Sequence, residues 1–367
     1  MQRHATRMFN ANRFKLGLFA PNCSGGLAMT KAPERWDATW ENNVKAARLA
    51  DAAGLEFLLP VARWQGYRGA TDPEGSAWET LTWATGLLAA TEGVNVFGTV
   101  HVAFIHPIFA AKQVVTADHV GRGRFGLNVV SGGNAGEARM FGGELPEHET
   151  RYAYSEEWVT IAKRIWSEHE PFDFRGRYFN LERVISKPKP YGNERPLLMS
   201  AGSSPTGRAF AARHADCLFM VIIEQQSLAE EIRAVRAMAP SDRRVGVFSS
   251  GHMICRPTDK EAREYHHYIV HEMGDWEAVD FIMGVRKDSH SFPPDKIQAL
   301  RERFTSGTGT FLVLGSPDTV VAKFKELSDA GLDGMAIGLV NYLDDFPLLR
   351  DEVLPRMERA GLRQPRH

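Results

Sequence analysis

The chain reads as an α/β protein, a (β/α)8 TIM barrel with insertions, in a single domain spanning 1–367. Three observations predict this. Eight short, β-rich apolar runs alternate with segments of helical period, as a parallel barrel requires. Runs such as LFMVII (218–223) are apolar throughout, which suits parallel strands covered on both faces. Polar residues such as Asn128 and Ser131 stand at the C-terminal end of a run, where such barrels keep their chemistry.

The predicted strands are Leu16–Pro21, Glu56–Val61, Val94–Val100, Phe125–Ser131, Leu197–Gly202, Cys217–Ile222, Val245–Cys255 and Met335–Val340. Between the first two, Asp37–Ala53 has helical spacing and ends at Gly54, a C-cap signal. Pro107 opens the third helix at a position that tolerates proline. Pro205-Thr206 starts a helix through Ala215, and Ser316-Pro317-Asp318 starts one ending at Gly331. A doubly wound sheet is the alternative that periodicity leaves open.

The alternation breaks twice. Residues 142–192 are too long for one barrel helix and contain FDFRGRYFNL, a candidate hairpin insertion. Residues 280–314 carry GVRKDSHSFPPD and TSGTGT, the composition of a mobile lid or of a merely variable loop.

Composition narrows the class. The formal net charge of −1 offers no basic field for nucleic acid. Three cysteines, Cys23, Cys217 and Cys255, without a CxxC, fit a reducing compartment better than a disulfide scaffold or zinc site. The N-terminus lacks an apolar signal-peptide core, and no apolar run is long enough to span a membrane. A cytoplasmic enzyme is the expectation, with no metal. GxGxxG after a strand, HExxH, the Walker loop and GxSxG are all missing, so a tightly bound nicotinamide is not expected.

Several residues could carry chemistry. In LLMSAGSSPTGRAFA a strand runs into Gly202-Ser203-Ser204 and then a helix start, a backbone able to approach a phosphate; an ordinary serine-capped turn is the alternative. Asn128 offers an amide at a strand end, for a ligand edge or a loop cap. His101 and His106 could serve as acid or base, or sit as satisfied histidines at a strand–loop junction. Arg63 and the pair Arg286-Lys287 could bind an anionic substrate. Cys23 reads as pocket lining rather than nucleophile.

The stretch from His106 to Tyr154 carries the most information: HPIFAAKQVVTADHVGRGRFGLNVVSG, then RYAYSEE from Arg151 to Glu157. It resembles the bacterial-luciferase-like flavin monooxygenases, in which HPxxxAKxxATxDxxSxGRFxxNVVSG leads to RYxxxEE. The block from Ala201 to Asp216 is similar to that family's AGxSxxGxxFAAxxAD. The resemblance implies that Gly202, Ser203, Ser204, Arg151 and Tyr152 hold the phosphate of FMN. It implies flavin contacts for Asn128 and Glu137, and for Ala62 and Arg63 after the second strand. Leu59, Thr99 and Asn128 match the oxygen-reacting pocket of the pyrimidine-oxidising branch. PNCSGGL and the spacing from His101 to His106 resemble the dimethylsulfone and alkanesulfonate branch.

The activity expected on this resemblance is that of a two-component monooxygenase. A separate NAD(P)H:flavin reductase would supply reduced FMN, and O2 would oxidise a small substrate through a peroxyflavin. A sulfone or sulfonate is favoured over a pyrimidine or amide ring. Deazaflavin-dependent hydride transfer and non-catalytic flavin binding are the other readings. The family implies a homodimer or homotetramer.

Overall fold

The structure is a computed structural model, and it describes residues 6–241, 243–286 and 297–365. Its strands are β1 (Lys15–Phe19), β2 (Phe57–Leu59), β3 (Asn95–His101), β4 (Phe125–Val130), β5 (Phe172–Arg175), β6 (Asn180–Val184), β7 (Leu197–Ala201), β8 (Cys217–Met220), β9 (Gly246–Cys255), β10 (Phe311–Gly315) and β11 (Gly334–Gly338). The helices used below are α1 (Trp40–Ala52), α2 (Thr80–Ala90), α3 (Pro107–Val120), α4 (Ala135–Met140), α5 (His148–Ser167) and α6 (Pro205–His214). Apart from the β5–β6 pair, the strands are parallel and alternate with helices, the (β/α)8 class that the sequence predicts. All eight expected strands are present.

Two compact units are distinguished. The first holds Glu79–Met220 and Glu230–Val247 with the N-terminal residues up to Asn10. Within it β3, β4, β7 and β8 run parallel in that order, with Thr99 opposite Asn128. The second holds Ala11–Trp78, Val221–Ala229 and the chain from Phe248 onward. Its strands follow the order β10-β9-β11-β1-β2, all parallel.

Strand glycines make room for large neighbours. A Cβ on Gly126 would lie 2.4 Å from the Phe97 ring, and one on Gly17 would lie 2.5 Å from Phe57. The rings of adjacent strands therefore fill what glycine leaves, at the density of a packed core. The helices start as their sequences dictate. Thr39 caps α1 by accepting from Asn42 N, and Gly54 beyond its end takes φ 75°. His106 caps α3, its Nδ1 accepting from Ile108 N at 3.3 Å, with Pro107 at the first position. The structure thus gives His106 a helix-capping task.

The insertion contains the expected hairpin. β5 and β6 pair antiparallel, and Glu157 of α5 accepts from the backbone N–H of Arg177, Tyr178 and Phe179 in its turn. Of the expected lid, 287–296 lie outside the described residues, so Lys287 does too, and nothing is described of the Arg286 side chain. The rest forms helix and strand. β10 was not expected, because its apolar run is short and comes after a glycine-rich turn.

The helix Ile297–Gly307 is anchored through His252 of β9, which is 2% exposed. Its Nδ1 lies 2.9 Å from Thr310 Oγ1 and its Nε2 2.8 Å from Ser306 Oγ. Among the described residues no helix is long and apolar enough to cross a membrane, and no cluster of three metal-ligand side chains occurs.

Burial holds the His252 imidazole neutral, its pKa pushed down to about 3. Below the ordinary value near 6.5 the unfolded chain takes up a proton that the folded chain does not, so stability falls as pH drops, by up to about 1.4 kcal/mol per unit. Chemical denaturation at pH 7, 6 and 5 should show a shallower loss for His252→Asn than for the parent chain. Parallel losses would mean that His252 is not buried neutral.

Candidate functional site

Two groups of residues in the first unit have ligand-binding character. The first stands at the ends of β3 and β4. Asn128 Nδ2 donates to Thr99 Oγ1 at 3.2 Å, while Thr80 Oγ1 holds the Thr99 carbonyl at 2.5 Å. Asn128 is 4% exposed, yet its Oδ1 accepts no hydrogen bond from the protein. An orphaned buried acceptor costs about 1–3 kcal/mol, a cost removed by a ligand N–H. His101 stands two residues beyond Thr99 on the same strand and meets Phe104 edge-on at 5.5 Å. Glu137 is fully buried on α4.

The second group lies between α5 and α6. Ser204 caps α6, its Oγ accepting from Gly207 N at 3.1 Å, and His148 Nε2 lies 3.0 Å from the same oxygen. The Tyr152 hydroxyl occupies the space that glycine leaves: a Cβ on Gly207 would fall 2.4 Å from it and one on Gly202 3.2 Å. Burial pushes the Tyr152 phenol up, so it stays a hydrogen-bonding hydroxyl. A helix N-terminus, two hydroxyls, an imidazole and side-chain-free backbone form a cradle for an anion.

Of the residues expected from the sequence, Tyr152, Gly202 and Ser204 meet here, next to Ser203. Arg151 stands next to Tyr152 on α5, near enough for its charge to act on the phenol, and its Nη1 donates to Pro146 O at 2.8 Å. His148 was missed, although its i, i+4 spacing from Tyr152 on one helix face was legible. The two glutamates of the same block have holding tasks. Glu156 receives Arg213 and His214 from α6, which keep its carboxyl near 2 against the opposing cost of burial. Glu157 caps the hairpin turn.

In the second unit, Leu59 is fully buried at the end of β2, and Ala62 stands in the loop beyond it. Arg63 Nε donates to Glu74 at 2.8 Å, and its guanidinium lies over the Tyr67 ring, so its charge is largely neutralised within the protein. Cys23 is fully buried, and desolvation pushes its thiol well above the usual range. That agrees with lining rather than nucleophilic use.

A buried amide with an unfilled acceptor and a helix N-terminus flanked by hydroxyls, both at strand C-terminal ends of a parallel α/β barrel, are the arrangement a phosphorylated, ring-bearing ligand would need. Residues 14–334 match the luciferase-like monooxygenase family, and the chain belongs to it. It is 30% identical over 351 residues to an FMNH2-dependent dimethylsulfone monooxygenase of Pseudomonas fluorescens, covering 93% of each chain. It is 28% identical to the pyrimidine monooxygenase RutA of Cronobacter turicensis over 97% of each chain. Among solved structures it is similar to the long-chain alkane monooxygenase LadA, with a TM-score of 0.84 at 19% identity, covering 97% of this chain and 94% of that one. The fold is thus the closed eight-stranded parallel barrel of that family. Members of the family are enzymes, flavin-dependent monooxygenases.

The residues present fit FMN. The cradle suits a dianionic phosphate, and the orphaned Asn128 Oδ1 suits an N–H of a flavin ring. Gly207→Ala would place a methyl against the Tyr152 hydroxyl and close the cradle. Fluorescence titration should show FMN affinity lowered by on the order of tenfold or more, the range of a lost charge-assisted contact, with riboflavin, which lacks the phosphate, unaffected. Equal weakening of both would remove the phosphate from this place.

Proposed function

We propose that this chain is the oxygenase of a two-component system. It takes reduced FMN from a separate NAD(P)H:flavin reductase and uses O2 to oxygenate a small organosulfur compound, a sulfone or sulfonate. The observation that carries the reading is the Asn128–Thr99 pair with its unfilled acceptor, set at strand ends like the cradle that fits a flavin phosphate. The similarity to dimethylsulfone monooxygenases over nearly the whole chain supports the sulfur substrate.

Bound reduced FMN supplies the two electrons that split O2, one oxygen atom going to the substrate and the other leaving as water. The chain's own residues bind and orient. Ser204, Tyr152, His148 and the N-terminal amides of α6 fix the phosphate. Thr99 holds the Asn128 amide so that Oδ1 is aimed and ready, at no reorganisation cost when the ligand arrives. The buried wall of β3 and β4 keeps water from the reacting centre. His101, two residues past Thr99, is the candidate to hand a proton to the departing water. Glu137 completes the buried lining in this reading. Leu59, Ala62 and Arg63, in the second unit, are proposed flavin contacts on the family likeness alone.

A second substrate reading, a pyrimidine, has one observation in its favour: a carboxamide held by a threonine presents an acceptor to an amide N–H.

Stopped-flow mixing of the protein with reduced FMN and then oxygenated buffer tests the class. A transient flavin spectrum outliving that of free FMN is expected; oxidation at the free rate would overturn oxygen activation and favour deazaflavin hydride transfer or passive binding. Asn128→Ala should cut FMN affinity roughly three- to tenfold, the worth of one buried hydrogen bond. Turnover with dimethyl sulfone, alkanesulfonates and uracil then separates the substrates.

A further inference from the structure

The far ends of α5 and α6, both in the first unit, bring together charged side chains that flavin binding does not use. Lys163 stands on α5 eleven residues past Tyr152, about 16 Å along the helix axis. Among the described residues its ammonium makes one polar contact, with His214 Nδ1 at 3.5 Å, and pairs with no carboxylate. The two acids near enough to act on it are Glu156 and Asp216, and both are taken. Glu156 receives Arg213 and His214 Nε2. Asp216 receives Arg195 through two guanidinium nitrogens, at 2.7 and 2.9 Å. Arg243 donates to the Ala212 carbonyl close by. The cations Lys163, Arg195, Arg213 and Arg243 thus outnumber the two acids before His214 is counted.

The imidazole gives the cluster a direction. Glu156 stays ionised, so it can only accept, and the Nε2 proton belongs to His214. Nδ1 then faces the Lys163 nitrogen. With both of these protonated two cations would meet, so the pair does best sharing one proton. His214 is steadied by a carboxylate on one side and can take a proton from an amine on the other, the order found in activated nucleophiles. Burial, and then the charges of Arg195 and Arg243, bring the Lys163 ammonium down to about 8 against the opposing pull of Asp216 and Glu156. That is the range of an N-terminal amine.

An amine with a base at hand, set in a surplus of positive charge, suits a reaction that turns it into an anion. We propose that Lys163 is a carbamate site, taking up dissolved carbon dioxide on Nζ. The free amine attacks the carbon. The N–C bond forms, one C–O π bond breaks onto oxygen, and the surplus N–H proton passes to His214 Nδ1 and on to solvent. The product is negative where the chain held a positive charge, so Arg195 and Arg243, which disfavour the ammonium, favour the carbamate. An acyl donor would leave a neutral amide and draw nothing from these cations. The site needs neither flavin nor the oxygenase reading.

Chemical trapping tests it. The full chain is equilibrated with isotopically labelled bicarbonate at pH 8, treated with triethyloxonium to fix carbamates as ethyl esters, and digested for peptide mass spectrometry. Lys325, paired with Asp329, and Lys260, paired with Glu264, serve as internal standards. Lys163 should carry at least about tenfold more label than either, because an amine near 8 is neutral far more often than an ordinary lysine. Arg195→Gln leaves Asp216 uncompensated and should cut the label on Lys163 several-fold, with the melting temperature confirming that the variant folds. Trace acetic anhydride, in parallel, reads the amine alone. Label on Lys163 no greater than on the standards, or unaltered by Arg195→Gln, would overturn the proposal. So would fast acetylation of Lys163 without carbamate, which would leave a reactive amine that does not take carbon dioxide.

Discussion

The guanidinium of Arg124 sets the register on which the site depends. The residue is 5% exposed, and its nitrogens donate to the carbonyls of Leu88, Thr91 and Val94 and to Thr91 Oγ1. Its own carbonyl accepts from Val96 N and Asn95 Nδ2. One side chain therefore closes the end of α2 and ties the start of β3 to the start of β4. Charged hydrogen bonds of this kind are worth about 1.5–3 kcal/mol each, and a buried guanidinium is tolerable only when it is so fully served. With Val96 opposite Phe125 at this anchor, the parallel register carries Thr99 to Asn128 three residues on. The Asn128–Thr99 pair is a downstream result of an arginine at the far end of the strands.

A second organiser is α5. In its first three turns it brings His148 to Ser204, Tyr152 to Gly202 and Gly207, Glu156 to α6 and Glu157 to the hairpin. Each lies on the face that helical geometry assigns it. The tight spacing of that sequence block thus reflects several tasks sharing one rod.

Much of this was legible in the sequence. Continuous apolar runs are unambiguous when strands are covered on both faces, so eight strands could be read directly; FLVL behind TSGTGT was too short to stand out. The GSS turn before Pro205 announced the start of α6, since proline and a serine cap fix where a helix begins. The features that stayed hidden depend on direction and distance in space. Arg151 and Tyr152 are adjacent in the chain, yet one donates to Pro146 O while the other packs its hydroxyl against Gly202 and Gly207. Arg63 looks like an available cation until Glu74, eleven residues on, is seen beside it. His106 looks like a chemical histidine until its ring is found capping α3.

The Glu157 anchor has an evolutionary corollary. The carboxylate reads only backbone N–H groups of the turn, so the side chains of Arg177 and Tyr178 are not what seats it. Arg177 and Tyr178 can therefore change identity while the turn remains seated, whereas a Cβ on Gly176 would lie 2.3 Å from the Glu157 carboxylate and Phe179 is buried. The barrel would be inherited intact while the face of this turn varies, a separation of scaffold from display that rests on a single glutamate.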